Sequence, residues 1–152
     1  DRPTARAPGM IVLDTTILVY AVGDEHPLRE PSRGLIESIA EDRVEASTTV
    51  EVIQEFVHVR ARRRDRHDAA DRGRELLRLL GPLMAPGEAE LAFALRLFEE
   101  HDGLGMFDAV LAATVMLSGV DALVSADRGF ASVRGLTHFD PAGPEVERLI
   151  KT

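Results

Sequence analysis

Four apolar residues in a row, Met10-Ile11-Val12-Leu13, end abruptly on the carboxylate of Asp14. A short continuous apolar run of this kind reads as a strand buried on both faces, as in a parallel sheet, and ligands of open α/β sheets collect outside the carboxyl ends of such strands. Asp14 would stand at such an end. It is followed by Thr15-Thr16 and a second apolar run, Ile17 to Val22, which reads as a helix starting beside the acid.

The rest of the chain repeats this alternation. Helices are expected over Leu28–Ala40, Thr49–Arg64, His67–Leu80, Glu88–Glu100 and Phe107–Leu117, with a short one over Glu145–Ile150. Between them lie strand candidates at Val44–Ser47, Leu83–Ala85, Ala122–Val124 and Leu136–Phe139. Ser47 or Thr48 suits the N-cap before the Thr49 helix, and Leu91, Ala94, Leu95 and Phe98 read as the inward face of the Glu88 helix. Strands alternating with helices indicate an α/β layer fold around a parallel sheet.

At 152 residues the chain is one domain by size, large enough to bury roughly 70% of the surface its unfolded form exposes. It contains no cysteine, which removes disulfides, thiolate nucleophiles and cysteine-ligated metals. No apolar run approaches the roughly 20 residues of a membrane span and no signal-peptide pattern appears, so a soluble cytoplasmic protein is expected. Residues 1–9, rich in Pro and Arg, are set aside as an N-terminal extension or tag remnant, leaving residues 10–152 as the domain. The net charge of −8 argues against a broad basic face for nucleic acid, yet Arg60, Arg62, Arg63, Arg64 and Arg66 form one cluster able to guide a phosphate backbone. An ordinary solvated helix end explains that cluster equally well.

Four acids stand out by position: Asp14 at a strand end, Glu55 on the rim of an apolar helix face, Asp108 at the start of an almost wholly apolar helix, and Asp127 just past the strand Ala122–Val124. Each alone has a bland explanation as a cap, a turn residue or a solvated side chain. Together they matter more. If Asp14 and Asp127 follow neighbouring parallel strands and Asp108 opens the helix between, the carboxylates converge on one sheet edge, where they must protonate or take up a cation. An all-oxygen set suits Mg²⁺ or Mn²⁺, and such ions serve phosphodiester hydrolysis. The five histidines lack metalloprotease spacing and read as surface or core residues. Thr16 stands where a haloacid-dehalogenase phosphatase needs a second Asp, the only lysine is Lys151, away from the receiver-domain position, and neither dinucleotide nor P-loop glycine motifs occur.

The segments Met10-Ile-Val-Leu-Asp14-Thr-Thr-Ile-Leu-Val-Tyr-Ala21, Val52-Ile-Gln-Glu55-Phe, Leu104-Gly-Met-Phe-Asp108-Ala-Val-Leu-Ala-Ala113 and Val124-Ser-Ala-Asp127-Arg-Gly-Phe130 resemble the successive motifs of PIN-domain ribonucleases, in particular VapC-like toxins of bacterial toxin–antitoxin pairs. The resemblance implies a three-layer PIN-like fold with a five-stranded parallel sheet flanked by helices, making residues 10–152 a single PIN domain. It implies Asp14 and Asp108 as principal Mg²⁺ or Mn²⁺ ligands, with Glu55 and Asp127 completing the site. Thr16, Ser125 and Arg128 are supporting candidates, the first two to orient water or phosphate and the third to touch phosphate. RNA is the implied substrate and an antitoxin the implied partner, in a hetero-oligomer or with a homodimer formed through the apolar first helices. A solitary nuclease without an antitoxin, and a non-catalytic acidic interaction module, are the alternatives.

Overall fold

The computed structural model describes residues 9–152, so all but Gly9 of the supposed extension lies outside the described residues. The chain runs β1 (Ile11–Leu13), α1 (Thr15–Val22), α2 (Arg29–Ala40), β2 (Ala46–Ser47), α3 (Val50–Ala61), α4 (Arg66–Leu80), α5 (Glu88–Glu100), α6 (Met106–Ser118), β3 (Ala122–Val124), a 3₁₀ turn (Arg128–Ser132), β4 (His138–Phe139) and α7 (Pro144–Lys151). All strand pairs are parallel, in the order β2-β1-β3-β4. Helices cover both faces, which is why β1 and β3 are apolar at every position and fully buried.

Register places the site. Ile11, Val12 and Leu13 pair with Ala122, Leu123 and Val124, so the two inner strands end level and Asp14 and Ser125 emerge side by side. From β1 the chain crosses to β2 on one side and only later returns to β3 on the other. The crevice outside their carboxyl ends is the topological switch point where α/β sheets bind ligands.

Among the described residues the sheet has four strands rather than the five expected. The segment Leu83–Ala85 contributes a single bridge, Thr49 to Met84, in which Met84 N donates to Thr48 O at 2.9 Å and Val50 N to Met84 O at 3.0 Å. The ladder stops there because its next donors on that segment would be Pro82 and Pro86, which have no N–H, and because the chain opposite turns into α3 at Val50.

Two local expectations also change. Thr49, not Ser47 or Thr48, caps α3, accepting from Val52 N at 3.1 Å. Ser47 and Thr48 are buried and tie neighbouring segments together: Ser47 Oγ donates to Leu80 O and Pro82 O, and Thr48 Oγ1 to Leu13 O at 2.6 Å. On α5 the inward residues are Ala94 and Leu97, while Leu91, Leu95 and Phe98 are about half exposed, at 47%, 49% and 46%. The apolar pattern favours the Leu91–Leu95–Phe98 side, but α5 packs on α6, whose buried residues include Ala109, Ala112 and Ala113, and the positions it buries are Ala94 and Leu97.

Thr48 anchors the last residue of β1 directly beneath Asp14. Thr48→Val keeps the shape but leaves that buried carbonyl short of a donor, so urea unfolding should show a loss of about 1 to 2 kcal/mol; an unchanged midpoint would mean the bond contributes nothing to the fold.

Candidate active site

Asp14 follows the last residue of β1 and its backbone N–H still reaches Val124 O at 3.0 Å, extending the ladder by one bond. It occupies the N-cap position of α1 but makes no capping bond there. Its carboxylate is instead held by two hydroxyls, both on Oδ2: Ser125 Oγ donates at 2.6 Å and Thr16 Oγ1 at 3.1 Å. Those hydroxyls are themselves fixed, because Asp127 N donates to Ser125 Oγ at 2.9 Å and Ala126 N to Thr16 Oγ1 at 3.0 Å. His138 Nε2 lies 2.8 Å from the carbonyl of Ser125, which can only accept, so that nitrogen carries the proton. Level strand ends and a hydroxyl on each side thus clamp one oxygen of a carboxylate that is only 4% exposed.

Glu55 projects from α3, where Val52 and Phe56 face the core and leave it exposed on the rim. It is held across the cleft by Thr15, whose Oγ1 donates to Glu55 Oε1 at 2.9 Å. Asp108 lies in the first turn of α6, whose positive end favours a carboxylate. Even so, its carboxyl is pushed up from the ordinary 3.8 to about 7, first by burial and then by the negative charges of Asp14, Asp127 and Glu55, with a proton-sharing hydrogen bond to Asp127 adding to the rise. Asp127 keeps part of its bland role, since Oδ1 accepts from Gly129 N at 2.9 Å and caps the 3₁₀ turn.

All four acids line one open cleft of about 540 Å³. Among the described residues, no three acid or imidazole side chains are drawn into a formed metal cage. Mg²⁺ does not need one, because it binds through one or two carboxylates and keeps several waters. Hard oxygen donors, together with burial and neighbouring negative charge that hold a proton on Asp108 near neutrality, fit a divalent cation of that type.

Of the supporting candidates, Thr16 and Ser125 are brought to Asp14, but Arg128 is exposed and is not part of the cleft lining. The arginine cluster divides. Arg60 is largely buried, pairs with Asp68 at 2.8 Å and holds that carboxyl below its usual range. Arg63 lines the acid cleft, and Arg66 lines a neighbouring groove between α3 and α4. Sequence reasoning missed Thr15, whose only signal was adjacency to Asp14 at a helix start. It also missed the cleft positions of Tyr20, His26 and Arg63, which depend on how α1 and α3 face each other. On the apolar first helix Ile17, Leu18 and Ala21 are buried while Val19, Tyr20 and Val22 are partly exposed, and a further exposed apolar stripe lies on α5.

Comparison with known proteins agrees with this architecture. The PIN domain family model matches residues 11–136. Ribonuclease VapC7 of Mycobacterium tuberculosis strain ATCC 25618 / H37Rv is 55% identical over 133 residues, covering 87% of this chain and 92% of that protein. Ribonuclease VapC23 of M. tuberculosis strain CDC 1551 / Oshkosh is 32% identical over 123 residues, covering 81% of this chain and 97% of that protein. A chain in the structure of VapBC2 from Rickettsia felis bound to a DNA fragment from their promoter shares the fold, with a TM-score of 0.69 at 17% identity over 86% of this chain and 98% of that one. The chain belongs to the PIN-domain family. Its curated relatives include the VapC ribonucleases named above.

The raised Asp108 carboxyl has a definite consequence for stability. Between about pH 4 and pH 7 the folded chain keeps a proton that the unfolded chain releases, so metal-free stability falls as pH rises through that window. Because solvent in the open cleft screens the repulsion, the effect is set at about 1 kcal/mol, or roughly 3 °C in the melting temperature. Metal-free melts at low and neutral pH should show this drop in the parent, and Asp108→Asn should lessen it; equal slopes for both proteins would contradict the assignment.

Proposed function

We propose that this chain is a Mg²⁺- or Mn²⁺-dependent endoribonuclease that hydrolyses RNA phosphodiester bonds, acting as the toxin of a toxin–antitoxin pair to inhibit growth and translation. The single observation that carries the proposal is the convergence of Asp14, Glu55, Asp108 and Asp127 on one open cleft at the switch point of the sheet. The names of the curated relatives, both ribonucleases, support RNA as the polymer.

In this proposal Asp14 and Asp108 hold the ion, and Glu55 and Asp127 complete its surroundings directly or through water. When bound, the ion supplies a Lewis acid for the scissile phosphate and an acidified water as nucleophile, giving a 5′-phosphate and a 3′-hydroxyl. The protein's own contribution is positioning. Ser125 and Thr16 fix Oδ2 of Asp14, Thr15 holds Glu55 at the cleft mouth, and Asp108 gives up its proton as positive charge enters. Arg63 on the cleft wall can take an adjacent backbone phosphate, offsetting the chain's net charge where the strand must lie.

The proposed protein partner is an antitoxin, in line with the VapBC names of the structural neighbours. A groove of about 1020 Å³ between α3 and α4, lined by His58, Arg66, Arg74 and Phe107, shares Glu55 with the acid cleft. A segment lying in it could deliver an Arg or Lys to the carboxylates and neutralise them as a metal does. A second copy of the chain is proposed to cover Leu91, Leu95 and Phe98, which repeat at i, i+4 and i+7 along α5.

Incubation of the antitoxin-free protein with total cellular RNA and Mg²⁺ or Mn²⁺ should produce cleavage that excess EDTA stops. Asp14→Asn and Asp108→Asn should reduce it to background, whereas Ser125→Ala, which frees Asp14 and removes the acceptor of Asp127 N–H, should lower the rate roughly 10- to 100-fold. Undiminished cleavage by the Asn variants or in EDTA would overturn the metal mechanism, and no cleavage with either ion would overturn the enzyme.

A further inference from the structure

The chain contains one tyrosine and no tryptophan, and the tyrosine stands at the acid cleft. Tyr20 is in the last turn of α1. The helix stops at Gly23, where a Cβ would come within 2.9 Å of Val19 O, so the chain can turn back there only without a side chain. That turn lays His26 over Tyr20, with ring centroids 4.3 Å apart and planes at 27°. The imidazole is also fixed from behind: Leu28 N donates to His26 Nδ1 at 3.0 Å, which makes Nδ1 the acceptor and places the proton on Nε2. One imidazole face is covered by Tyr20, yet His26 remains exposed and lines the same cleft as the four acids.

Charge selects what can sit there. Asp24 borders the same end of the cleft and repels a phosphate backbone, as does Glu25 in part, its charge offset by Arg29 at 3.5 Å, while Arg63 stands elsewhere on the cleft lining to attract one. An uncharged planar group can approach the rings, and a nucleobase is the planar group that an RNA strand brings. Tyr20 lies six helical steps beyond Asp14, about 9 Å along the axis, so a strand with one phosphate at the acids can bring a neighbouring base to His26.

We propose that Tyr20 and His26 form a nucleobase-stacking shelf that sets the register of the RNA strand against the acids. The shelf rests on the RNA-cleaving function proposed above and adds to it a pair of positioning residues. Ring-on-base stacking is tolerant of sequence, so the shelf chooses where a base must be present more than which base it is.

Two substitutions separate stacking from a role in the turn. His26→Asn keeps an oxygen that can accept from Leu28 N–H but has no ring, whereas His26→Phe keeps the ring and loses the acceptor. Both are made in an Asp108→Asn background, which blocks cleavage, and binding of a labelled short mixed-sequence single-stranded RNA is measured by anisotropy. Stacking predicts roughly tenfold weaker binding for His26→Asn and affinity within about twofold of the parent for His26→Phe. A single abasic nucleotide, walked along the RNA, should weaken binding to the parent at one position and have no further effect there on His26→Asn. Parent-like affinity for His26→Asn, a loss in His26→Phe equal to that in His26→Asn, or additive abasic effects would each overturn the shelf while leaving the nuclease intact. Failure of the Asp108→Asn parent to bind any RNA, together with no RNA cleavage by the unsubstituted protein with either ion, would overturn both.

Discussion

Mutual repulsion among four carboxylates is the constraint around which the rest of the molecule is arranged. Left to themselves, Asp14, Glu55, Asp108 and Asp127 would separate or protonate, and burial together with the neighbouring negative charges lifts the Asp108 carboxyl to about 7. They are held by independent devices. Asp14 is clamped by hydroxyls from α1 and from beyond β3, Glu55 by Thr15, and Asp127 by the turn it caps. The Asp14 clamp depends on the parallel register that ends β1 and β3 at the same level, and that register depends in turn on the fully buried apolar strands.

Much of this was legible in the sequence, for specific reasons. The run Met10–Leu13 could be buried only as an inner strand, and an acid directly after it had to emerge at the strand end. The apolar helix around Asp108 left that carboxylate conspicuous. What could not be read were features decided by pairing between distant segments. Pro82 and Pro86 reduce the expected fifth strand to one bridge, a result visible only once Met84 is known to face Thr49. The inward face of α5 was misassigned because the apolar pattern marks the Leu91–Leu95–Phe98 side, whereas the packing of α5 on α6 buries Ala94 and Leu97. Arg60 read as one of several equivalent surface cations until α4 brought Asp68 to it.

The arrangement also explains how an acidic chain can handle a polyanion. Repulsion is concentrated in one small cleft, where a divalent cation would reverse it, while Arg63 and the α3–α4 groove with Arg66 and Arg74 lie nearby. An open cleft suits a polymer, which must thread past the acids, better than a closed pocket would. The cost is that the acids are left partly in water, so their arrangement depends on hydroxyl clamps and not on deep burial alone.

The most direct measurement is the number of protons released when Mn²⁺ binds, obtained by calorimetry near neutral pH in buffers of different ionisation enthalpy. If the four acids share a site that one cation neutralises, binding should release a substantial fraction of a proton per ion near pH 7, fading toward zero by about pH 9, and Asp108→Asn should remove it. Binding without proton release near neutrality, or equal release by Asp108→Asn, would contradict a common site for these carboxylates.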